Sequence, residues 1–397
     1  MLAPPGKKPI VVIPSESFES YERAGYAERA RHRYNPGGMF SEVFAVSPLE
    51  KGVRQAYGIT IIGTPASDFR KVVREIDPCL VRAFGGYWAA DFAARYRLAN
   101  VPVVVSVHDP NPAMIFRGVR YADLVLCTSS VVRDAVLARG VDSRSVKILP
   151  NYVEPSVFHP VAGEQLAALT RRFPAGYHIL HVGRRSKEKN LASLLRALVL
   201  LPETYQCICV GQGDAAPYQR LAESLGVASR CSWMDALPQA ELAAWYSWCD
   251  CFCVPSLWEG FGNVFIEAAA CGAAVVTARI RPMSDTFVHR ESAWLVQHNE
   301  DPGEIAEGIR QVCEDATLRK ALSSQAVRVA ASFERSRVQA VEASLYSELL
   351  ASGGKGLTCE QVLWALGGSI RDGWRVRLRP RLRWWTHRVT TLGRGNP

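Results

Sequence analysis

Residues 249–272, CDCFCVPSLWEGFGNVFIEAAACG, run from an apolar strand through a loop with two glycines into a helix of small residues. Asn263 is predicted to cap this helix, because its short side chain can accept a hydrogen bond from a free amide of the first turn. Gly260 and Gly262, on either side of Phe261, allow a ligand to approach the backbone closely. Free amides at a helix start attract anions, phosphates above all. The stretch therefore predicts a phosphate site along the backbone from Gly260 to Asn263.

Two acidic residues flank this predicted phosphate site, Glu259 in the loop and Glu267 in the helix. The helix is apolar nearly all round, which is typical of a buried helix. A buried carboxylate is costly unless it is paired or hydrogen-bonded, so we expect Glu267 to have a specific partner. The alternative is that Glu259 is a solvated loop residue and that Glu267 only complements the helix dipole.

The composition indicates a two-domain chain with locally concentrated basic charge. At 397 residues and 48% hydrophobic content, the protein can bury more than one core. Residues 355–397 contain nine basic residues against two acidic ones, so they supply +7 of the formal net charge of +9. The rest of the chain is close to balanced.

The eleven cysteines favour reduced thiols rather than a disulfide or metal framework. Those at 207 and 209, and at 249, 251 and 253, alternate within apolar strands, so each set is expected on one sheet face. No Cys-x2-Cys pattern typical of zinc sites is present among them. Buried thiols favour a reducing compartment. The first apolar run is too short for a signal peptide, and no apolar stretch reaches the ~20 residues of a membrane span. We therefore expect a cytoplasmic protein.

The order of apolar runs predicts an α/β fold. Near-continuous apolar strands alternate with helix-like stretches, which indicates parallel, doubly wound sheets covered on both faces. In the first half the strands are predicted at 8–14, 58–65, 78–85, 101–108 and 122–130. A second series begins at 177, and the turn-rich NYVEPSVFHP before it predicts a hinge. We therefore predict two Rossmann-like domains, at 1–158 and 159–334.

Two features of the first domain are candidate binding elements. Gly37-Gly38 follows the first strand and precedes a helix-like run, so a phosphate or sugar could approach that backbone, although most glycine pairs are only turns. His108 ends the strand VPVVVSVH, at the edge where ligands of such sheets bind. A lone histidine is more often structural, but its position at a strand end favours a functional role.

The second domain supplies a pair of cations and a glycine turn. Arg184 ends a strand and Lys189 follows in its loop. Arginine presents a planar fork of donors and lysine a mobile point charge, which together suit a diphosphate. An exposed basic turn is the alternative. Gly211 and Gly213 end the next strand, where a tight strand–helix turn explains them as well as a phosphate contact does.

Residues 255–272 resemble the Glu-x7-Glu signature of glycosyltransferase family 4, whose members have the GT-B architecture. The pattern GRxxxxKN at 183–190 is similar to the family's diphosphate-binding arginine and lysine, and the resemblance covers roughly residues 8–351. It implies two Rossmann-like domains with an interdomain cleft, the first on the acceptor side. It also implies a crossover helix at 335–352, which leaves 353–397 as a tail. The chain departs from the family pattern at 279–296.

The resemblance assigns roles to the candidate residues. It implies that Arg184 and Lys189 hold the donor diphosphate, that Glu267 accepts the ribose hydroxyls and that Glu259 bonds the sugar. By the same likeness, His108 positions groups at the reacting centre. The glycine pair at 37–38 is similar to one that faces the donor in family members.

The implied activity is that of a retaining hexosyltransferase. It moves a sugar from a UDP- or GDP-linked donor to a glycan or lipid-linked acceptor, without a separate cofactor. No Asp-x-Asp pair is present to bind a metal, so fixed cations are expected to take that place. The alternative is a non-catalytic nucleotide-sugar-binding or scaffold protein of the same fold. The absence of GxGxxG after the first strand disfavours a dinucleotide dehydrogenase.

Residues 370–388, IRDGWRVRLRPRLRWWTHR, alternate arginine with apolar side chains and include three tryptophans. Tryptophan suits an interface with one oily and one wet side, and arginines near an anionic membrane contribute ~1 kcal/mol each. This pattern favours peripheral contact with the inner face of the cell membrane over a nucleic-acid partner. A disordered, solvated tail is the alternative.

Overall fold

The computed structural model describes residues 7–23 and 25–365, which form two compact units. The first unit comprises the chain up to Cys127, Ala135–Lys147 and the described chain from Ala343 onward. The second comprises Thr128–Asp134 and Ile148–Glu342. The sequence placed the domain boundary at 158, and the longer segment of the second unit begins at Ile148. The predicted tail lies outside the described residues from 366 onward.

The first unit is built on a largely parallel sheet. Its described strands are β1 (Ile10–Ile13), β2 (Val43–Ser47), β3 (Val53–Ala56), β4 (Ile59–Gly63), β5 (Leu80–Phe84), β6 (Val103–Val107), β7 (Leu124–Cys127) and β8 (Val146–Ile148). Their order is β3-β4-β2-β1-β5-β6-β7-β8. β3 is antiparallel to β4 at one edge, whereas β1, β2, β4, β5, β6 and β7 pair in parallel. Since IVVI of β1 is completely buried, both faces of the sheet are covered there.

One local prediction for the first unit is wrong. The run after Gly37-Gly38 was expected to be helical, but VFAVS forms β2, between β1 and β4. Four of its five residues are buried. Burial in the sheet therefore overrides a weak local helix signal, as is common for short apolar runs.

The second unit has a fully parallel sheet of six described strands. They are β9 (Tyr177–Val182), β10 (Tyr205–Val210), β11 (Cys231–Met234), β12 (Cys251–Val254), β13 (Val275–Ala278) and β14 (Trp294–Val296). The order is β11-β10-β9-β12-β13-β14, with every neighbouring pair parallel. Both sheets thus confirm the predicted doubly wound α/β architecture.

The helices up to α11 lie between the strands in chain order, as expected for crossover connections in parallel sheets, and α12 to α14 follow the last strand. They are α1 (Phe18–Arg23), α2 (Ala30–Tyr34), α3 (Phe69–Ile76), α4 (Trp88–Arg95), α5 (Ser130–Ala138), α6 (Glu164–Arg172), α7 (Leu191–Val199), α8 (Ala216–Ser224), α9 (Gln239–Trp248), α10 (Asn263–Ala270), α11 (Met283–Thr286), α12 (Pro302–Glu314), α13 (Ala316–Ala331) and α14 (Arg335–Ser352). A helical segment at 359–365 follows. No helix within the described ranges is both long and apolar enough to cross a membrane.

Each sheet has a point where the direction of strand addition reverses. From β9 the chain builds β10 and β11 on one side and then returns to place β12 on the other. In the first unit β1 has β2 on one side and β5 on the other. Ligands of doubly wound sheets bind at the carboxyl ends of the strands that flank such a reversal. The loops after β9 and β12 are therefore where a ligand of the second unit is expected.

The cysteines are free thiols, eight of them buried. Cys207, Cys209, Cys251 and Cys253 belong to one apolar cluster on the second sheet, as the alternation predicted. Cys249 packs in the other cluster, so the prediction that it shares a face with Cys251 and Cys253 is wrong, because it lies before β12 and outside the strand alternation. Burial raises the pKa of the Cys253 thiol well above its ordinary value. The Cys253 thiol is therefore a protonated core side chain at neutral pH.

Candidate functional site

A buried ion pair joins the loops after β9 and β12. Lys189 Nζ donates to Glu259 Oε1 at 2.6 Å, and Ser256 Oγ donates to the same oxygen at 2.7 Å. The two charged side chains are only 12% and 8% exposed. Buried charges are tolerated when they are paired and hydrogen-bonded. The solvated-loop interpretation of Glu259 is therefore wrong.

Backbone and amide contacts hold these two loops together. The Leu257 amide donates to the Glu188 carbonyl at 2.8 Å. The Asn190 side chain donates to the carbonyls of Pro255, at 3.0 Å, and Asn299, at 2.6 Å. Asn190 has φ 53°, a left-handed conformation that asparagine tolerates better than most residues. The Lys189–Glu259 pair thus lies on a fixed frame.

The two arginines that follow β9 have different environments. Arg184, the predicted diphosphate ligand, is 73% exposed and donates to Glu188 at 2.8 Å. Arg185 is 4% exposed and donates to the carbonyls of Gly213, at 2.9 Å, and Met234. Arg185 therefore ties the ends of β9, β10 and β11 together. The sequence does not reveal this role, because two adjacent arginines carry no local signal that distinguishes the inward side chain from the outward one.

The two glycines after β10, Gly211 and Gly213, occupy positions where a side chain is disfavoured. A Cβ on Gly211 would lie 1.8 Å from the Gly183 carbonyl oxygen, at the end of the adjacent β9. Gly213 has φ 105°, a conformation that side chains rarely adopt. These contacts favour the tight-turn alternative for Gly211, because its missing side chain is required for the two strand ends to meet.

The start of α10 carries unsatisfied amides. Asn263 is the first helical residue, and the preceding Gly262 occupies the cap position with φ 87°. The prediction that Asn263 caps the helix is therefore wrong; its Oδ1 instead accepts from Asn151 Nδ2 at 2.9 Å. The five amides of residues 260–264 donate no hydrogen bond to any other residue of the described chain. Such a row of free N–H groups at a helix start is suited to an anion.

Phe261 contributes to this loop differently from the glycines beside it. Its side chain is buried in the core and packs edge-on against Phe333, with ring centroids 5.7 Å apart. Only the backbone of Phe261 is therefore suited to a ligand contact.

Glu267 has the partner that its apolar surroundings required. The side chain is half-buried on α10, and the Tyr246 hydroxyl donates to its Oε2 at 3.3 Å. Burial, and next the charge of Glu267, raise the pKa of Tyr246 well above its ordinary value. Tyr246 is thus a permanent donor that holds the carboxylate in place.

In the first unit, His108 lies directly after β6 with its ring parallel to that of Phe84, centroids 6.5 Å apart. Its Nε2 is buried and has no hydrogen-bond partner in the described part of the chain. Burial first, then the charges of Arg33 and Arg82, lower the pKa of His108 to about 3. The imidazole is therefore neutral near pH 7 and is suited to hydrogen bonding rather than to carrying charge.

Gly37 and Gly38 form a short turn with φ of 60° and 65°. A Cβ at either position would meet no atom within 4 Å, so space is open above this backbone. Lys7 Nζ donates to the Gly38 carbonyl at 2.7 Å. The turn is compatible with the close ligand approach that the sequence suggested.

Solved structures share this architecture and define its class. Sucrose-phosphate synthase from Thermosynechococcus elongatus aligns with a TM-score of 0.70, 20% identity, and coverage of 87% of this chain and 100% of that one. HepE from Anabaena, solved in complex with UDP, aligns with a TM-score of 0.73, 18% identity, and coverage of 86% and 100%. At such identities the likeness concerns the fold, which is GT-B.

Family models and curated relatives narrow the class. Residues 21–157 match the model Glycosyltransferase Family 4, and residues 171–329 match Glycosyl transferases group 1. The D-inositol 3-phosphate glycosyltransferase of Thermobispora bispora is 32% identical over 262 residues, covering 61% of this chain and 60% of the relative. A second such protein, from Catenulispora acidiphila, is 32% identical over 282 residues, covering 62% and 65%. The alignments thus span less than two thirds of the length of these relatives. The chain belongs to glycosyltransferase family 4.

Proposed function

We propose that the protein is a retaining glycosyltransferase that moves a hexose from a nucleotide-diphosphate sugar to a glycan or lipid-linked acceptor. The observation that carries this proposal is the buried Lys189–Glu259 pair at the strand-order reversal of the second unit, in the same loop system as the free amides of 260–264. Cation, carboxylate and amides at one strand edge match the parts of a nucleotide sugar.

The diphosphate is assigned to the amides and the cations. Free amides at a helix start and a lysine ammonium with donors beyond the one used by Glu259 offer several bonds to phosphate oxygens. Arg184, 73% exposed, adds a planar fork that can turn from Glu188 to a ligand. Fixed donors that face developing charge are usually the largest catalytic contribution, so their role is to stabilise the departing diphosphate.

The two carboxylates are assigned to the sugars of the donor. Glu259 uses Oε1 for Lys189 and Ser256, and Oε2 remains for hydroxyls of the transferred sugar. Glu267, held by Tyr246, accepts the two ribose hydroxyl protons. A carboxylate can accept several hydrogen bonds at once, which suits both roles.

The donor is UDP- or GDP-linked, and the reaction uses no separate cofactor or metal. HepE, which shares the fold, is described in complexes with UDP and with UDP-glucose. In this proposal Lys189 and Arg184 take the place of a divalent cation at the diphosphate. Neutral His108, on the acceptor-side unit, hydrogen-bonds at the reacting centre. No covalent nucleophile is assigned, since retention here proceeds by attack on the face that the diphosphate leaves.

The setting is the cytoplasmic face of a membrane, where lipid-linked acceptors for polysaccharide assembly reside. The basic, tryptophan-containing chain after residue 366 supports contact with anionic lipid there. The curated relatives are named for a phosphorylated inositol acceptor, so a phosphorylated polyol belongs in any acceptor panel.

The test is a nucleotide-sugar cleavage assay in the presence of EDTA. Full-length protein is incubated with UDP-glucose, UDP-galactose, UDP-N-acetylglucosamine and GDP-mannose, and nucleoside diphosphate release is measured with and without acceptors. We expect slow cleavage of one donor, reduced about 100-fold or more in Glu259→Gln by analogy with the loss of one transition-state contact. Glu223→Gln, an exposed glutamate on α8, is the control. Donor binding without cleavage under every condition would establish the non-catalytic alternative instead.

A further inference from the structure

Residues 355–364, which follow α14, pack against the first unit through specific contacts. The Lys355 amide donates to Asp123, whose buried ion pair with Arg97 measures 3.0 Å. Farther on, Gln361, only 2% exposed, donates through Nε2 to the Ala94 carbonyl at 3.1 Å. The Trp364 ring lies 5.0 Å from that of Tyr121. The segment 355–364 is thus an integral part of the first unit.

The helical segment 359–365 exposes apolar side chains, whereas a surface helix usually buries them. Polar Gln361 and half-buried Trp364 face the protein. Cys359, Val362 and Leu363, at the i, i+3, i+4 spacing of one helix face, point outward, and Leu363 is 70% exposed. Leu357, 41% exposed, precedes them. We call Leu357, Cys359, Val362 and Leu363 the outward stripe.

The outward stripe is a contiguous apolar surface that an apolar partner would cover. Removing apolar surface from water is favourable, so the outward stripe gains free energy when it enters a nonpolar phase. The chain that follows supplies a complementary charge signal: residues 366–397 contain eight arginines against one aspartate. Stable attachment to a bilayer commonly needs two signals, one apolar and one cationic, and this stretch of sequence has both.

We propose that the outward stripe is a membrane-docking surface, which enters the headgroup region of an anionic lipid bilayer. This inference deepens the membrane contact proposed above and does not depend on the donor or on the chemistry. The apolar part of the membrane contact is thereby assigned to the outward stripe and not to the tail. The segment that carries the stripe is held on the first unit by its contacts with Asp123, Ala94 and Tyr121.

Cys359 allows a direct test, since it is the only exposed one of the eleven cysteines. An environment-sensitive fluorophore is attached to Cys359 of the full chain carrying Cys79→Ser, and vesicles are added. We expect a blue shift with phosphatidylcholine–phosphatidylglycerol vesicles and none with phosphatidylcholine alone. An unchanged spectrum with both would overturn the proposal.

A paired variant tests the energetics. In vesicle co-sedimentation, Val362→Asp with Leu363→Asp should weaken binding about tenfold or more, because two charges would have to enter the apolar layer. The matched control is Val199→Asp with Leu200→Asp, at the end of α7, where the side chains are 46% and 53% exposed. Equal loss in both pairs, or a changed oligomeric state of the first pair in sedimentation velocity, contradicts a lipid occupant.

Two further measurements distinguish the outward stripe from the tail contact and from the proposed function. If Arg375→Gln, Arg377→Gln and Arg379→Gln together leave vesicle binding intact while the stripe pair loses it, the stripe is supported and the tail contact is not. Donor cleavage in vesicle-free solution should be equal in wild type and the stripe pair. If wild type binds vesicles through the stripe but cleaves no donor, the proposed function fails and this inference stands.

Discussion

At the scale of single residues, the Lys189–Glu259 pair links stability to the proposed activity. Removing one member of a buried ion pair leaves an uncompensated charge and typically costs about 3–5 kcal/mol, whereas neutral replacements of both are often tolerated. The pair here is 2.6 Å apart and nearly fully buried. Its contribution to folding and its proposed role in donor binding can therefore be separated by mutation.

We predict that Lys189→Met alone lowers the free energy of unfolding by about 3 kcal/mol. The double variant with Glu259→Gln should recover most of that loss, because no unpaired charge remains buried. Both variants should lack donor cleavage. Urea unfolding measures the first effect and nucleotide release the second. A double variant as unstable as the single one would show that the pair is not the source of the stability.

His181, 1% exposed on β9, makes stability depend on pH. Burial, as the largest cause, lowers its pKa from 6.5 to about 4, with the charges of Lys189 and Arg185 acting in the same direction. Below pH 6.5 the unfolded chain binds a proton that the folded chain does not. Stability therefore falls as the pH drops from 6.5 toward 4 and is fully retained above 6.5.

We predict that between pH 7 and pH 5 the wild type loses about 2 kcal/mol of unfolding free energy through this histidine. His181→Asn has no group that titrates there, so its stability should decline less over the same interval. His108 titrates in the same direction and remains in both proteins as a shared background. Parallel pH profiles for wild type and variant would refute the assignment.

At the scale of elements, the contact between β9 and β10 depends on Gly211. A side chain there would meet the Gly183 carbonyl at 1.8 Å, which requires the two strand ends to separate. The loops that carry Lys189 and Arg185 begin at the end of β9. A disturbance at Gly211 should therefore reach the site as well as the fold.

We predict that Gly211→Ala destabilises the protein by about 3 kcal/mol or more, at the upper end of overpacking effects. The control is Gly226→Ala, in the same unit, with φ 72° and nothing within 4 Å of the new Cβ. It should cost about 1–2 kcal/mol, the strain of the left-handed conformation alone. Urea midpoints of the two variants decide this, and equal midpoints would contradict the steric argument.

Element boundaries and types were harder to predict than their existence. The apolar strands β1, β5, β6, β9 and β12 lie within the predicted stretches, because a strand buried on both faces requires an uninterrupted apolar run. The structure also has β2, β3, β8 and β11, which the sequence did not single out. β3 is largely exposed and β8 has only three residues, so hydrophobic periodicity gives little signal for either.

At the scale of the whole molecule, thiol accessibility reports the integrity of both units. Eight cysteines are buried, Cys79 and Cys231 are half-buried and Cys359 is exposed. Burial also raises the pKa of both half-buried thiols, which disfavours the reactive thiolate.

We predict that a disulfide reagent at pH 7 modifies one thiol quickly in the native protein and all eleven after unfolding in urea. Cys359→Ser should remove the fast phase and leave the slow one unchanged. If several thiols reacted quickly in the native protein, the core of the second unit would have to open readily in solution.

The sequence by itself determined the two-unit α/β architecture, the membership suggested by the Glu-x7-Glu signature and the residues that surround the candidate site. These three features depend on local composition and residue spacing, which can be read from contiguous stretches of the chain. Continuous apolar strands allow few environments, and the loop PSLWEGFGN allows few backbone paths.

Only the tertiary structure decided which of these residues meet. Lys189 and Glu259 are 70 positions apart, and they pair because β9 and β12 are neighbours in the sheet. The same holds for the burial of Arg185 beside exposed Arg184, the anchoring of Glu267 by Tyr246 and the outward direction of Val362 and Leu363. Sheet order and packing set these contacts, and neither follows from the identity of a residue's neighbours along the chain.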